Sequence, residues 1–146
     1  MNVQRTLIGL TMMAVLAVVA VACGDDAADP VFDDVWARPG AAGDNAAAYM
    51  NITNEGDEDA ILTGASSDVA RMVEVHESRM EDGTMRMEEI PELVIEPGET
   101  VSLEPGGFHV MFMNLERDLD PDDTFMLTLH FDDLDDIELE VTVAEQ

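Results

Sequence analysis

From Val31 onwards apolar residues recur mostly at every second position, and turn-forming clusters interrupt the pattern about every 8 to 12 residues. Alternation of this kind matches extended strands, whose successive side chains point to opposite faces, one buried and one wet. The expected strands are segments 31–37, 46–54, 60–66, 72–80, 84–88, 93–95, 100–103, 108–114, 124–131 and 137–143. Between them lie RPGAAGDN, NEGDED, EDG, EPGE, EPGG and LDPDD, rich in residues whose backbones accept turn conformations. No stretch shows convincing helical periodicity, and no internal repeat is evident. The expectation is a single all-β domain, a sandwich or a barrel.

The first 30 residues read differently. A short polar start with Arg5 leads into an apolar run from Leu7 to Val21, followed by AVAC and GDD. That is the make-up of a secretory leader rather than of a fold element. A Cys directly behind small residues at the end of the run resembles a bacterial lipobox, in which cleavage leaves a lipidated N-terminal Cys23. Ala20 stands where such motifs usually carry Leu, so an ordinary signal peptide or an uncleaved anchor is the competing reading. The expected division is leader 1–22, a short acidic tether 23–30 beginning at lipidated Cys23, and the domain 31–146.

Within the domain, residues 105–113 read PGGFHVMFM. The strand period puts His109, Met111 and Met113 on one face and Val110 and Phe112 on the other. Imidazole and thioether are borderline-to-soft donors, suited to a soft ion such as Cu(I), but one His-x-Met pair cannot complete a site. His76 in RMVEVHESRM and Met87 in DGTMRMEE supply the rest, giving the spacing His76-x10-Met87-x21-His109-x-Met111. For one of three His in a chain of this composition, that spacing has a chance probability of roughly 3 in 10,000. EDG between the strands of His76 and Met87 forms a hairpin turn that brings the two together without strain.

This spacing resembles that of the periplasmic copper chaperones called PCu(A)C. The resemblance runs from VWARPG through AAAYMNITNEGDE, GASSDVA, VEVHES, DGTMRM and IEPGETVSLEPGGFHVMFMNL to DTFMLTLHF, about residues 31–143. It implies a cupredoxin-like Greek-key β-sandwich that binds Cu(I) at an exposed site through His76, Met87, His109 and Met111. It further implies delivery of copper for assembly of the dinuclear centre of cytochrome c oxidase. The implied acceptors are copper-accepting proteins of that assembly, either a thioredoxin-like copper protein or an oxidase subunit. The membrane would be reached through the lipid anchor.

Each feature has a plainer explanation. A His on the polar face of a strand is more often merely solvated, and only the spacing lifts His76 above that. Met113 serves either as core filler or as a secondary shell guarding the metal. His130 stands outside the spacing, and Met50, Trp36 and Tyr49 are expected in or near the core. Asp118, Asp120 and Asp122 imitate a calcium loop, yet Asp123 and Leu129 stand where its turn Gly and bidentate Glu belong.

Charge and cysteine narrow the function further. The chain carries 33 acidic residues against six Arg and no Lys, a formal charge of −27. Nucleic acid and anionic lipid surfaces repel such a polyanion and are poor partners. The acidity fits a saline habitat, where dense carboxylates keep a protein hydrated; base-composition drift explains Arg over Lys but not the Asp. Cys23 is the only cysteine, so the domain offers a metal no thiolate, and a blue-copper electron-transfer site of two His and one Cys is excluded. Two readings remain: a Cu(I) carrier, not an enzyme, or a membrane-tethered β-sandwich binding module whose Met and His only pack.

Overall fold

The computed structural model describes residues 28–146 apart from Asp133, so the leader and Cys23 lie outside the described residues. Ten strands account for the fold: β1 (Val31–Ala37), β2 (Ala46–Thr53), β3 (Ala60–Ser66), β4 (Ala70–Glu81), β5 (Thr84–Glu89), β6 (Leu93–Ile95), β7 (Thr100–Leu103), β8 (Phe108–Leu115), β9 (Thr124–Asp132) and β10 (Ile137–Val143). Every expected strand forms, five of them with the expected ends. β4 runs longer because Ala70 still finds a partner in Leu115. β2 stops one residue early because the buried side chain of Asn54 takes over the bonding. Its amide donates to the carbonyls of Glu58 and Ile95 at 2.7 and 2.9 Å, and its Oδ1 accepts from the Gly56 N–H.

The strands form one continuous hydrogen-bonded sheet in the order β5-β4-β8-β7-β2-β1-β10-β9-β3-β6. A short parallel contact, Trp36 and Ala37 of β1 against Thr142 and Val143 of β10, is the seam at which the sheet folds over on itself. β5, β4, β8, β7, β2 and β1 form one layer and β10, β9, β3 and β6 the other. This is an all-β, cupredoxin-like sandwich. Phe112 of β8 meets Phe125 of β9 edge-on, with centroids 5.4 Å apart at 89°, a favourable arrangement that locks the layers together.

Alternation decides what faces the core. Val110 and Phe112 of β8, Ala46, Ala48, Met50 and Ile52 of β2, and Leu127 and Leu129 of β9 are buried, while their neighbours in the chain are exposed or half-buried, except Tyr49 and His109, which are buried on the opposite face. Met50 is thus core, as its strand pattern implied. Along β2, residues 46–48 pair with β8 and residues 50–53 with β7. β7 and β8 therefore lie end to end, joined through Pro105 and Gly106. Gly106 has φ +86°, a conformation that a side chain would strain, and the turn closes with the Gly107 N–H donating to the Glu104 carbonyl at 3.0 Å.

Candidate metal centre

The EPGG turn delivers the chain into β8 so that His109 is its second residue. β4 pairs with β8 in antiparallel register, and His76 falls directly opposite His109. The imidazole centroids are 5.8 Å apart and the rings are inclined at 54°. The same register sets Glu74 opposite Met111 and Met72 opposite Met113. Directly opposite residues share a face, so these six side chains line one surface of the outer layer. On its other side β4 pairs with β5, which places Met87 opposite Ser78 and hence one diagonal step from His76, about 7–8 Å away and within reach of a long side chain. The β4–β5 turn uses Asp82 at φ 50° and Gly83 at φ 78°, the two left-handed positions of a type I′ hairpin. Thus the structure brings His76, His109, Met87, Met111 and Met113 onto one face.

The bonding of the two rings is complementary. His76 Nε2–H donates to Glu74 Oε2 at 2.8 Å, which leaves Nδ1 with its lone pair. His109 Nδ1–H donates to the Gly107 carbonyl at 3.2 Å, which leaves Nε2. Gly107 is itself fixed, because the same carbonyl accepts the Ser78 N–H at 2.9 Å. Both free nitrogens are buried and have no hydrogen-bond partner. A buried acceptor left unmade costs about 1–3 kcal/mol, so two of them side by side are a standing cost that a bound cation would remove.

His109 is only 3% exposed. Burial pushes its pKa below the ordinary histidine value; the Gly107 bond opposes that shift, and the adjoining His76 adds to it. The ring therefore stays neutral to lower pH, so protons compete less with a metal for Nε2. Beside it stands an aromatic wall, with Tyr49 6.5 Å from His109 and Trp36 4.7 Å from Tyr49. Trp36 is aimed there by a bulge in β1, where the register slips between Asp33 and Trp36 and Asp34 adopts φ 51°.

Among the described residues no three His, Cys, Asp or Glu side chains form a metal cage. A cation at the two imidazoles would draw its remaining donors from sulfur. Met111 and Met113 are half-buried, whereas Met87 is 56% exposed. His130 lies apart on β9, bonded to Ser66 at 3.0 Å and to Asp136 at 2.9 Å. Sequence reasoning missed Glu74 as the partner of His76. The signal was the i, i+2 spacing on one strand face, hidden among many other acidic residues.

Residues 31–143 match the LpqE-like family, which is named for a lipoprotein. Lxx21020 of Leifsonia xyli subsp. xyli (strain CTCB07), a protein named as a lipoprotein, is 33% identical over 134 residues, 90% of this chain and 80% of its own. The solution structure of CuI-DR1885 from Deinococcus radiodurans is 30% identical with a TM-score of 0.60, covering 86% of this chain and 85% of its own. The copper-bound PCuAC domain from PmoF2 shares the fold, with a TM-score of 0.67 at 21% identity over 82% of this chain and 96% of its own. From the match along 31–143 and these relatives, the chain belongs to the LpqE-like family, which is related to the PCuAC domains.

Proposed function

We propose that the protein is an extracytoplasmic Cu(I) metallochaperone, a carrier rather than an enzyme, with His76, Met87, His109 and Met111 as metal ligands and Met113 guarding them. The observation that carries this reading is the pair of buried, partnerless nitrogens, His76 Nδ1 and His109 Nε2, on cross-strand neighbours. Two imidazoles and two thioethers form a shell that favours Cu(I) over harder ions. Thioethers have no proton to lose, and His109 is already biased to its neutral form, so loading needs little deprotonation. Glu74 fixes the orientation of His76 as an outer-shell carboxylate. The likeness to CuI-DR1885 supports the choice of ion.

Transfer proceeds by ligand exchange. Met87 is the most exposed of the four donors and sits on the edge strand β5, so it is the ligand that an acceptor's donor displaces first. The proposed acceptors are copper-accepting proteins of cytochrome c oxidase assembly, a thioredoxin-like copper protein or an oxidase subunit. The basis is the resemblance along the His76-to-Met111 spacing.

Titration against a competing Cu(I) chromophore tests the site. One Cu(I) per chain is expected to survive desalting and Zn(II) is not, because Met is a poor zinc ligand and the domain has no thiolate. Equal retention of the two metals would sink the proposal. Replacing Met111 with Leu keeps the side-chain volume close, so a stability change under about 1.5 kcal/mol is expected together with weaker Cu(I) binding. Unchanged copper binding with lowered stability would make Met111 a packing residue.

The division into leader 1–22, tether 23–30 and domain 31–146 belongs to the same proposal, with lipidated Cys23 holding the domain at the membrane. The lipoprotein names of the family and of Lxx21020 support it. Two acyl chains give the stable retention that one does not. Cys23→Ser is expected to release the protein from the membrane fraction and to abolish acylation in the mass spectrum; an unacylated wild type would overturn the assignment.

A further inference from the structure

The methionine face does not end at the imidazole pair. Beyond Ser78 and Met87, the next rung of the β4–β5 hairpin pairs Met80 with Met85. By alternation both lie on the same face as His76 and Met87. They are 67% and 49% exposed, and Met87 and Met72 are 56% and 51% exposed. Of the seven exposed large apolar residues among the described residues, these four share one sheet face, and each of the four presents sulfur rather than an aliphatic or aromatic surface. A generic docking patch draws on aromatic and aliphatic residues as well.

We propose that Met80, Met85 and Met87 form a second, weaker soft-metal site for Cu(I), a loading station that hands the ion to the imidazole pair. Met80 and Met85 are direct cross-strand partners, at a Cβ separation of about 4.5–5.5 Å, and Met87 is the diagonal neighbour of Met80. Three thioethers on one rigid hairpin can therefore converge on one ion. Met87 is also the diagonal neighbour of His76, so it belongs to both sites. An ion held by Met80, Met85 and Met87 moves inwards by exchanging Met80 and Met85 for the two nitrogens while Met87 stays bound. No proton or electron is exchanged. The ion is never fully released to water during the step.

The surroundings favour arrival of a cation. Residues 74–89 contain six carboxylates and two guanidiniums. The latter are engaged by acidic neighbours, Arg79 by Glu77 and Arg86 by Glu81, the second pair at 2.9 Å. Three thioethers without a nitrogen donor bind less tightly than the mixed His/Met set, whose nitrogens also relieve a buried cost. That order of affinity is what a loading station needs. The metal flow rests on reading the imidazole pair as the Cu(I) site; the binding at Met80 and Met85 does not.

The test uses full-length protein carrying 13C-methyl methionine, titrated with Ag(I) as a redox-inert stand-in for Cu(I). The first equivalent is expected to shift the Met87 and Met111 methyl signals. The second finds Met87 already held at the imidazole pair, so it is expected to bind Met80 and Met85 alone, more weakly, and to shift those two signals. The double variant Met80→Leu/Met85→Leu, at exposed positions where volume is nearly conserved, is expected to lose the second equivalent and keep the first. The double variant His76→Ala/His109→Ala is expected to lose the tight equivalent yet still shift Met80 and Met85, so failure at the imidazole pair and failure at the station are read separately. Met80 and Met85 signals that stay fixed up to two equivalents, or a second equivalent that survives in the Met80→Leu/Met85→Leu variant, would overturn the proposal.

Discussion

Replacing His109 with Ala is expected to lower Cu(I) affinity by more than about 100-fold, since outer-shell partners alone typically cost 10–100-fold and His109 supplies a donor directly. The same change removes a buried nitrogen that has no partner in the metal-free protein. Its effect on metal-free stability is therefore a balance: a cavity beside Tyr49 is created, while an unmade bond worth about 1–3 kcal/mol is relieved. Competition with a Cu(I) chromophore and urea melts of the metal-free protein measure the two halves. A loss of stability with affinity unchanged would mean that His109 is a packing residue, and the binding-module reading would replace the carrier.

The strands were legible because their determinants are local. Alternating apolar residues mark β8 and β9, and Asp-Gly or Pro-Gly marks where β4 turns into β5 and β7 into β8. The shared face of His109, Met111 and Met113 follows from the two-residue period of one strand, and the approach of Met87 to His76 follows from one short hairpin. The direct pairing of His76 with His109 was beyond that reach. It depends on the register between β4 and β8, with three strands intervening in the chain, and register is set by long-range burial of Val75 against Val110. Glu74 was hidden for a related reason. An acidic residue carries little information in so acidic a chain, and its role emerges only once His76 is placed with Nε2 against it. Tyr49 came to the site through pairing of β2 with β8, and Trp36 through the β1 bulge, whose one extra residue has no signature in the alternation.

The sequence of β8 separates the two duties of the strand: one set of alternate residues bears donors and the other bears the core. Phe112 lies between Met111 and Met113 but points the other way, is fully buried, and meets Phe125 edge-on. Phe112→Ala is expected to cost about 3–5 kcal/mol, because it empties a large volume where the two layers meet. Against the 5–15 kcal/mol that stabilises a typical domain, that is a large fraction, and the urea midpoint of the metal-free protein should fall accordingly. Copper should restore much of it, since an ion that binds only the folded state adds about 4 kcal/mol at 1,000 times its Kd. Under conditions where the variant is still folded, its Cu(I) affinity should stay close to that of the wild type, because none of the donors is on that face. An affinity loss as large as that of His109→Ala would show that core packing sets the donor geometry, and the division of β8 into a metal face and a core face would have to be given up.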